Sequence, residues 1–443
     1  MLSDASLPDP DLVFQDFRLS GRDSVMIAVS GGSDSLALLV LLDAFLRRHA
    51  ASPRLLAVTV DHALRPGSAE EAKTVAAFCA ARGIDHQIVI WEGPKPSTGI
   101  SAAAREARHR LLAKAATAAG TDLVFTGHTQ DDQAETVTMR ASRGFGRGAA
   151  GIARATLFDG RIWFARPLLG IRRSALRTYL EQAGVTWIED PKNRDSRYER
   201  VRTRLAINDR SFEQAVEHGR KAAADREASG LRAAEIISRH MICPSPGLVH
   251  LDTGFLSCER TAALYALRIL LAVMGGREQL PDETRTATLL ERLRQPSLRA
   301  TLSRTVVRSS RLGIFIHREN RNLPCDALRD TSLVWDGRYR VQGEGHAGFS
   351  IAPFGTGNAQ EVAVPENLPS PAFRGALAAE PALWRSDECL GLAREIADLT
   401  VAPRLGPWQR YLPSFDFAPA EAVASLLDAQ PLPALPFAGH NER

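Results

Sequence analysis

Residues 24–45 read SVMIAVSGGSDSLALLVLLDAF, and three chemistries follow one another inside them. Ser24 to Ser30 is an apolar run of strand length, Ser30-Gly31-Gly32-Ser33-Asp34-Ser35 is small and polar, and from Asp34 onward leucines recur at helical spacing. Two adjacent glycines let the backbone turn tightly and approach a ligand. The helix that follows offers free N–H groups and the positive end of its dipole. Strand, glycine turn and helix N-terminus in that order make a pyrophosphate cradle, with Ser30, Ser33 and Ser35 as added hydroxyl donors. Taken alone, the same residues also describe a glycine turn in which Ser33 or Asp34 is an N-cap.

No Gly-Lys-Ser/Thr follows, which argues against a Walker A loop and γ-phosphate transfer. Asp34 at an anion site repels phosphate unless a divalent cation lies between them, so Mg²⁺ is expected at Asp34. A second glycine run, Gly146-Arg147-Gly148-Ala149-Ala150-Gly151, matches G-x-G-x-x-G only in form, because it follows a helical segment and not a strand. It reads as a mobile glycine loop near the site.

Outward from the loop the alternation continues. LLAVTVDH (55–62), DHQIVIW (85–91) and DLVFTGH (122–128) read as further strands, each nearly all apolar, as strands covered on both faces of a parallel sheet must be. Helical segments over 34–49, 68–83 and 100–120 lie between them, the second opening on a capping box, Ser68-x-x-Glu71. This is a doubly wound α/β domain with a parallel sheet, whose ligands belong at the carboxyl ends of the strands. On that rim the second strand presents Asp61 and His62, and the fourth presents Gly127, His128, Asp132 and Glu135. Asp132 and Glu135 share a helix face if the helix starts near Asp131, and a paired carboxylate there suits a metal or an ammonium group. Each residue alone is equally well read as structural, Asp131 as an N-cap and the histidines as satisfied core groups. Arg105 and Arg108 on the third helix are expected to face the site.

The chain has 443 residues, 44% hydrophobic and 24% charged, enough for two or three soluble domains and too ordinary for a fibre or a disordered chain. No apolar run approaches the ~20 residues that cross a bilayer, and the opening residues lack the basic and apolar regions of a secretory signal, so a cytoplasmic location is expected. Five scattered cysteines, none in a C-x-x-C pair, argue against disulfide frameworks and zinc or iron–sulfur sites. Beyond Arg172 the pattern changes: a helix over 174–183, a long helix over 211–240, then Cys243-Pro-Ser-Pro-Gly247, read as a boundary. The expected division is a catalytic domain over 1–210, a helical linker over 211–247, an α+β domain over 248–328 and a weakly specified region over 329–443. The formal charge is only +4. Residues 139–210, however, carry sixteen Arg or Lys against seven Asp or Glu, a local +9 that reads as the footprint of an RNA backbone. Phe145, Trp163, Trp187 and Tyr198 are interleaved there and offer faces for an unpaired base, although core packing suits any one of them better.

Taken together, SGGSDS (30–35), VDHALR (60–65), AAREARHRLL (103–112), GHTQDDQAET (127–136), MRASRGFGRGAAG (139–151), RPLL (166–169) and EDPKNRDSRYERVRTR (189–204) resemble the tRNA(Ile)-lysidine synthetase family of PP-loop ATP pyrophosphatases. The resemblance covers residues 22–210. It implies an adenine nucleotide alpha-hydrolase-like fold and a reaction in which ATP activates carbon 2 of the wobble cytidine in the CAU anticodon of tRNA(Ile) as an adenylate. An amine of L-lysine then displaces AMP to form lysidine, which switches codon reading from AUG to AUA. Carried onto this sequence, Ser30, Gly31, Gly32, Ser33, Asp34, Ser35, Asp61, His62 and Gly127 bind ATP, with Mg²⁺ at Asp34. Asp34, Arg105, His128, Asp132 and Glu135 surround the reacting centre, Asp132 and Glu135 bind lysine, and Arg108, Arg143, Arg147, Arg166, Arg200 and Arg204 contact RNA. The sequence departs from the family pattern at Lys192 and Val201, where Ser or Thr and Asn are usual. The oligomeric state is left open between monomer and homodimer.

Other classes fit less well. A tRNA thiolase needs a cysteine pair, and the first domain holds only Cys79. Ligases of the argininosuccinate- or GMP-synthetase kind share the loop but not the arginine-rich stretch. A non-catalytic RNA-binding relative has no reason to keep Asp34, Asp132 and Glu135.

Overall fold

The computed structural model describes residues 7–50, 52–144, 146–189, 195–295, 297–328, 332–344 and 348–438. Phe145, Asp190, Pro191, Lys192 and Asn193 therefore lie outside the described residues. The chain divides into two units, one of Met1–Arg226 with Pro413–Phe415 and Pro433–Arg443, the other of Glu227–Leu412 with Asp416–Leu432.

In the first unit a short helix α1 (Pro10–Phe14) precedes β1 (Ser24–Ala28), α2 (Ser33–Arg48), β2 (Arg54–Asp61), α3 (Ser68–Ala80), β3 (Asp85–Ile90), α4 (Ile100–Ala118), β4 (Leu123–Phe125) and α5 (Gln130–Ala141). An antiparallel hairpin, β5 (Ala155–Phe158) and β6 (Ile162–Ala165), is followed by α6 (Arg173–Gln182), α7 (Glu199–Ala206) and α8 (Asp209–His240). The sheet has seven strands and runs β5-β6-β4-β1-β2-β3, the seventh joining the β5 edge where the chain returns near Pro413. Strand β1 pairs in parallel with both β2 and β4. The succession β1, β2, β3 runs one way and β4, β6 the other, so the order reverses between β1 and β4. In an open α/β sheet that reversal opens a crevice beyond the strand ends. Both flanking loops carry candidate site residues, Ser30 to Ser35 after β1 and Gly127 to Glu135 after β4.

Parallel burial explains why these strands were readable: Val25, Met26, Ile27, Leu123, Val124 and Phe125 are each fully buried. Two local expectations fail. Helix α3 is capped by the backbone of Gly67, at φ +91°, with Ser68 already inside the helix, and Glu71 pairs with Arg65 and not with an N-cap amide. The capping box of this unit is instead Thr129-x-x-Asp132 at α5: the Asp132 carboxylate accepts from Thr129 N at 2.8 Å, and Asp132 N donates to the Thr129 hydroxyl. The Gly146–Gly151 run, expected as a mobile loop, holds a 3₁₀ turn at Arg147–Ala150, with Arg140 Nη1 donating to the Gly148 and Gly151 carbonyls at 2.9 and 2.7 Å.

The division between units falls inside α8, earlier than the boundary expected at Cys243. The first part of α8 packs Phe212 and Ala215 against Ala134 and Val137 of α5. Cys243-Pro-Ser-Pro-Gly247 belongs to a hairpin of β7 (Met241–Ser245) and β8 (Leu248–Leu251). Strand β7 is an edge strand, which is where prolines are tolerated. With α9 (Arg260–Met274), α10 (Glu283–Arg292), β9 (Arg299–Leu302), β10 (Thr305–Ser310) and β11 (Gly313–Arg318), the second unit builds a five-stranded sheet ordered β7-β8-β11-β10-β9. Two smaller sheets follow. Residues on either side of 328 fall in one unit and not in two. Arg318 Nε donates to Asp336 at 2.9 Å and Arg338 Nη1 to Glu380 at 3.1 Å, and both carboxylates are fully buried. Separating those segments would leave buried charges unpaired.

Gly127 sits where the β4–α5 loop crosses the first turn of α2, and a Cβ there would lie 2.9 Å from the Asp34 carbonyl oxygen and 3.0 Å from Ser35 Cα. Both neighbours are backbone, so Gly127→Ala must displace the phosphate loop. It should cost about 1–3 kcal/mol of stability and weaken ATP binding more than tenfold, read by urea melts and by nucleotide titration. His109 tests the core behind the loop. It is 5% exposed, hydrogen-bonded at 2.8 Å to the Arg105 carbonyl and packed on Phe158 and Phe164, and burial pulls its pKa down to about 4. The unfolded chain takes this proton near pH 6.5 and the folded chain only near 4, so stability falls as pH drops through that window. Between pH 7 and pH 5 the loss is about 2 kcal/mol, and His109→Gln should remove that part of the pH dependence in urea denaturation.

Candidate functional site

The loop after β1 is held open by its own hydroxyls. The Ser35 hydroxyl accepts from Ser30 N at 3.1 Å and donates to the Gly32 carbonyl at 3.0 Å, closing a small ring at the start of α2. Gly31 has φ +83°, and a Cβ on it would meet Ile188 Cδ1 at 2.9 Å, so this position requires glycine. Gly32 is different. Its φ is −75° and the nearest atom to an added Cβ is 3.8 Å away, so no protein atom demands glycine there, only whatever approaches the backbone. No side chain caps α2, which leaves its first N–H groups turned to the crevice.

The crevice is a cavity of about 480 Å³. Of the residues expected to bind ATP, Ser30, Gly32, Ser33, Asp34, Ser35, His62 and Gly127 line it, with Gly31 shaping the turn beneath. Asp61 does not line it. Its Oδ1 accepts from Ala63 N at 2.8 Å, an Asx turn that places Ala63 at φ +49° and sends His62 to the wall. Arg105, Arg108, His128, Asp132, Arg200 and Arg204 are wall residues too.

Burial and the nearby guanidiniums of Arg166, Arg108, Arg105 and Arg200 hold the His128 imidazole well below its usual pKa, so it is neutral at physiological pH. Its Nδ1 lies 3.1 Å from the Thr126 hydroxyl, which itself donates to the Ala165 carbonyl at 3.3 Å. With its hydrogen so used, Thr126 accepts from Nδ1–H, and Nε2 carries the lone pair.

A charge cluster occupies one wall. Arg173 Nε donates to Asp34 at 2.8 Å, its Nη2 to Asp132 at 3.1 Å, and its Nη1 lies 3.7 Å from Glu135. From α7, Arg200 reaches Glu135 at 2.6 Å and Asp132 at 2.8 Å, and Arg204 reaches Glu135 at 2.7 Å. Three carboxylates thus meet three guanidiniums. Burial pushes the Asp34 carboxyl up against the pull of Arg173. Burial also opposes the charge on Arg173, yet Asp34, Asp132 and Glu135 together hold its guanidinium above the usual range.

Arg173 is absent from the residues expected at the site. A cation at the first position of a helix opposes the helix dipole, and that misplacement was the available signal. Asp131 is its anchor: expected as the cap of its own helix, it instead accepts from Arg173 N at 2.7 Å and caps α6.

Other expected RNA contacts separate. Arg200 and Arg204 point inward, onto carboxylates. Arg166 is 4% exposed and donates to the Ala153 and Phe164 carbonyls and the Thr156 hydroxyl, so burial removes it from any RNA surface. Arg143 is exposed, beside Glu199, and Arg147 is half-buried; neither lines the cavity. Trp163 is fully buried core, Tyr198 is exposed, and Trp187 lines the cavity with the Arg177 guanidinium 5.6 Å from its ring.

Among the described residues no group of three His, Cys, Asp or Glu is assembled for a metal, and no helix is long and apolar enough to cross a membrane. Residues 11–211 match the model of the PP-loop domain family. A tRNA(Ile)-lysidine synthase of Mesorhizobium japonicum is 48% identical, covering 98% of this chain and 99% of its own. One of Rhizobium meliloti is 39% identical over 93% of each. Among solved structures, the U34-tRNA thiolase NcsA from Methanococcus maripaludis with its [4Fe-4S] cluster covers 48% of this chain and 78% of its own, at 18% identity and TM-score 0.41. With a PP-loop domain over residues 11–211 and 48% and 39% identity to those relatives across nearly its full length, the chain belongs to the tRNA(Ile)-lysidine synthase family of PP-loop proteins.

Proposed function

We propose that this protein uses ATP to join L-lysine to carbon 2 of the wobble cytidine in the CAU anticodon of tRNA(Ile), through an adenylated cytidine and with release of pyrophosphate and AMP. The observation that carries the reading is that an uncapped helix N-terminus and the Asp132 carboxylate line one cavity, with Glu135 tied to Asp132 through Arg200. The first suits a leaving pyrophosphate, the second an incoming amine.

The N–H groups of the Ser30–Ser35 loop take the outer phosphates, so attack falls at the α-phosphorus and pyrophosphate leaves. Asp34 offers one hard oxygen donor beside that cradle, which suits Mg²⁺ when phosphates and waters complete its shell. Held there, the ion would supply charge neutralisation to the leaving pyrophosphate. Arg105 and Arg108 face the same space. His128 stays neutral, and its Nε2 lone pair receives the proton released as the carbon–nitrogen bond forms.

The charge cluster makes the second step possible without stranding a charge. Phosphates bring anions that Arg200 and Arg204 can accept, and lysine brings ammonium groups that Asp132 and Glu135 can accept. Each protein group trades one ionic partner for another as substrates enter, so no buried charge is left alone. Arg143, Arg147 and their exposed neighbours steer the RNA backbone toward the cavity.

With tRNA(Ile) transcript, ATP, Mg²⁺ and radiolabelled lysine, the purified protein should place label in the RNA. Label that never appears, together with modification by a sulfur donor, would overturn the reading in favour of a thiolase. Arg143→Gln combined with Arg147→Gln should flatten the plot of log Kd for tRNA against log salt by about 1.5 units, near 0.7–0.9 per lost phosphate contact. An unchanged slope would move the RNA contact elsewhere.

A further inference from the structure

The histidine that receives the proton in the proposed transfer is oriented by a neutral partner. Thr126 and His128 flank Gly127 on the loop leaving β4, and His128 N donates to the Thr126 carbonyl at 3.0 Å, a three-residue turn that brings the two side chains together. Across that turn Thr126 Oγ1 lies 3.1 Å from His128 Nδ1. The threonine is itself held from the next strand. Its N–H and its hydroxyl both donate to the Ala165 carbonyl, at 2.9 and 3.3 Å, and that oxygen has two lone pairs to accept them. Ala165 ends β6, and the following residue, Arg166, clamps that strand end through Nη1, which donates to the Ala153 and Phe164 carbonyls and the Thr156 hydroxyl. Thr126 is 8% exposed, so little water competes for its hydroxyl. The charged groups that face His128 are Arg166 after β6, Arg105 and Arg108 of α4, and Arg200 of α7. All four are cations.

A carboxylate partner gives a histidine both basicity and orientation, whereas a hydroxyl gives orientation alone. Here the orientation depends on where the hydroxyl hydrogen goes. Because it is committed to Ala165, Thr126 can only accept from the ring, and the ring hydrogen is drawn to Nδ1. We propose that Thr126 is a positioning residue for lysine transfer: it holds the Nδ1–H tautomer and keeps the Nε2 lone pair turned to the cavity for the proton of the attacking amine. The assignment rests on the lysine-transfer reading above. In that step the amine nitrogen bonds to carbon 2, the carbon–oxygen bond to AMP breaks with its electron pair leaving on the phosphate, and the amine proton passes to Nε2. The bond from Nδ1–H to Thr126 is kept throughout, so the ring does not turn. Four guanidiniums then oppose the imidazolium, and its proton is released to water. The other tautomer would present an N–H to the incoming amine and offer no base.

Thr126→Val keeps the shape of the side chain and removes the hydroxyl, and Thr126→Ser keeps the hydroxyl. The valine variant should lower kcat for lysine transfer to tRNA about 10- to 100-fold, with the KM for ATP and for lysine unchanged. The serine variant should recover most of that loss. A rise in KM at unchanged kcat would put the hydroxyl on a substrate and overturn the positioning role, and so would a valine variant with wild-type kcat. The tautomer is read without turnover, by two-bond proton–nitrogen NMR correlations in protein carrying heavy nitrogen in its 11 histidines, with the His128 signals identified by their loss in His128→Gln. Wild-type His128 should carry its hydrogen on Nδ1, and the valine variant should gain an Nε2–H population. Wild-type His128 protonated at Nε2 would overturn the proposal even if the valine variant does not fold. A wild-type chain that shows Nδ1–H but never labels tRNA would instead overturn the lysine reading, leaving Thr126 no transfer to serve.

Discussion

One side chain holds the catalytic unit's loops in register. Arg173 is bonded to Asp34 at the start of α2 and to Asp132 at the start of α5, so the loops leaving β1 and β4 are tied by a single guanidinium. It does so with 16% of its side chain exposed, and its carboxylate partners are more or less equally withdrawn from water. Desolvating such charges is unfavourable by several kcal/mol per ion and is offset only when every one is paired. The network is therefore close to all-or-none. Asp131 fixes Arg173 through its backbone, Arg173 fixes Asp34, and Arg200 and Arg204 take the acceptor oxygens that remain.

The topology makes that network a site as well as a brace. Where strand order reverses between β1 and β4, the two loops diverge and leave the crevice, and Gly127 lets one backbone cross the other so closely that an added Cβ would lie within 3.0 Å of it. The ion pairs span this gap. Under the proposed function, a substrate charge entering here competes for partners already in place, since Glu135 is shared by Arg173, Arg200 and Arg204.

The fold of the first unit was legible because its signals are local. Strands buried on both faces are apolar throughout, and a glycine pair set between strand and helix marks a close backbone approach by its position alone. The ion network was not legible, because its partners are distant in sequence: Asp34 and Arg173 are separated by 139 positions and Glu135 and Arg204 by 69. Asp61 shows how narrow the margin is. It stands beside His62 at the end of β2, yet one residue lines the cavity and the other closes a turn, a choice made by the positive φ of Ala63 and not by residue type. Ser68 and Glu71 satisfied a capping pattern that Gly67 pre-empted one residue earlier, whereas Thr129 and Asp132 formed one in a stretch read only for its carboxylates. In the second unit the joining contacts are buried pairs across segments, such as Arg318 with Asp336, which no periodicity announces.

The basic stretch over 139–210 shows the same limit in charge. Its +9 counts only carboxylates inside the segment, but Asp34, Asp132 and Glu135 come from outside it and absorb Arg173, Arg200 and Arg204. Arg140 and Arg166 spend their guanidiniums on backbone carbonyls, and Arg202 does so on the Ser196 and Arg197 carbonyls. Six cations of the apparent RNA footprint are thus engaged within the protein before any nucleic acid arrives. A segment's net charge measures its potential for polyanions only after folding has assigned its partners. The arginines that remain on the surface are open to a polyanion, and those turned inward are already held by carboxylates and carbonyls, so a single run of sequence divides its cations by the direction in which each side chain was folded.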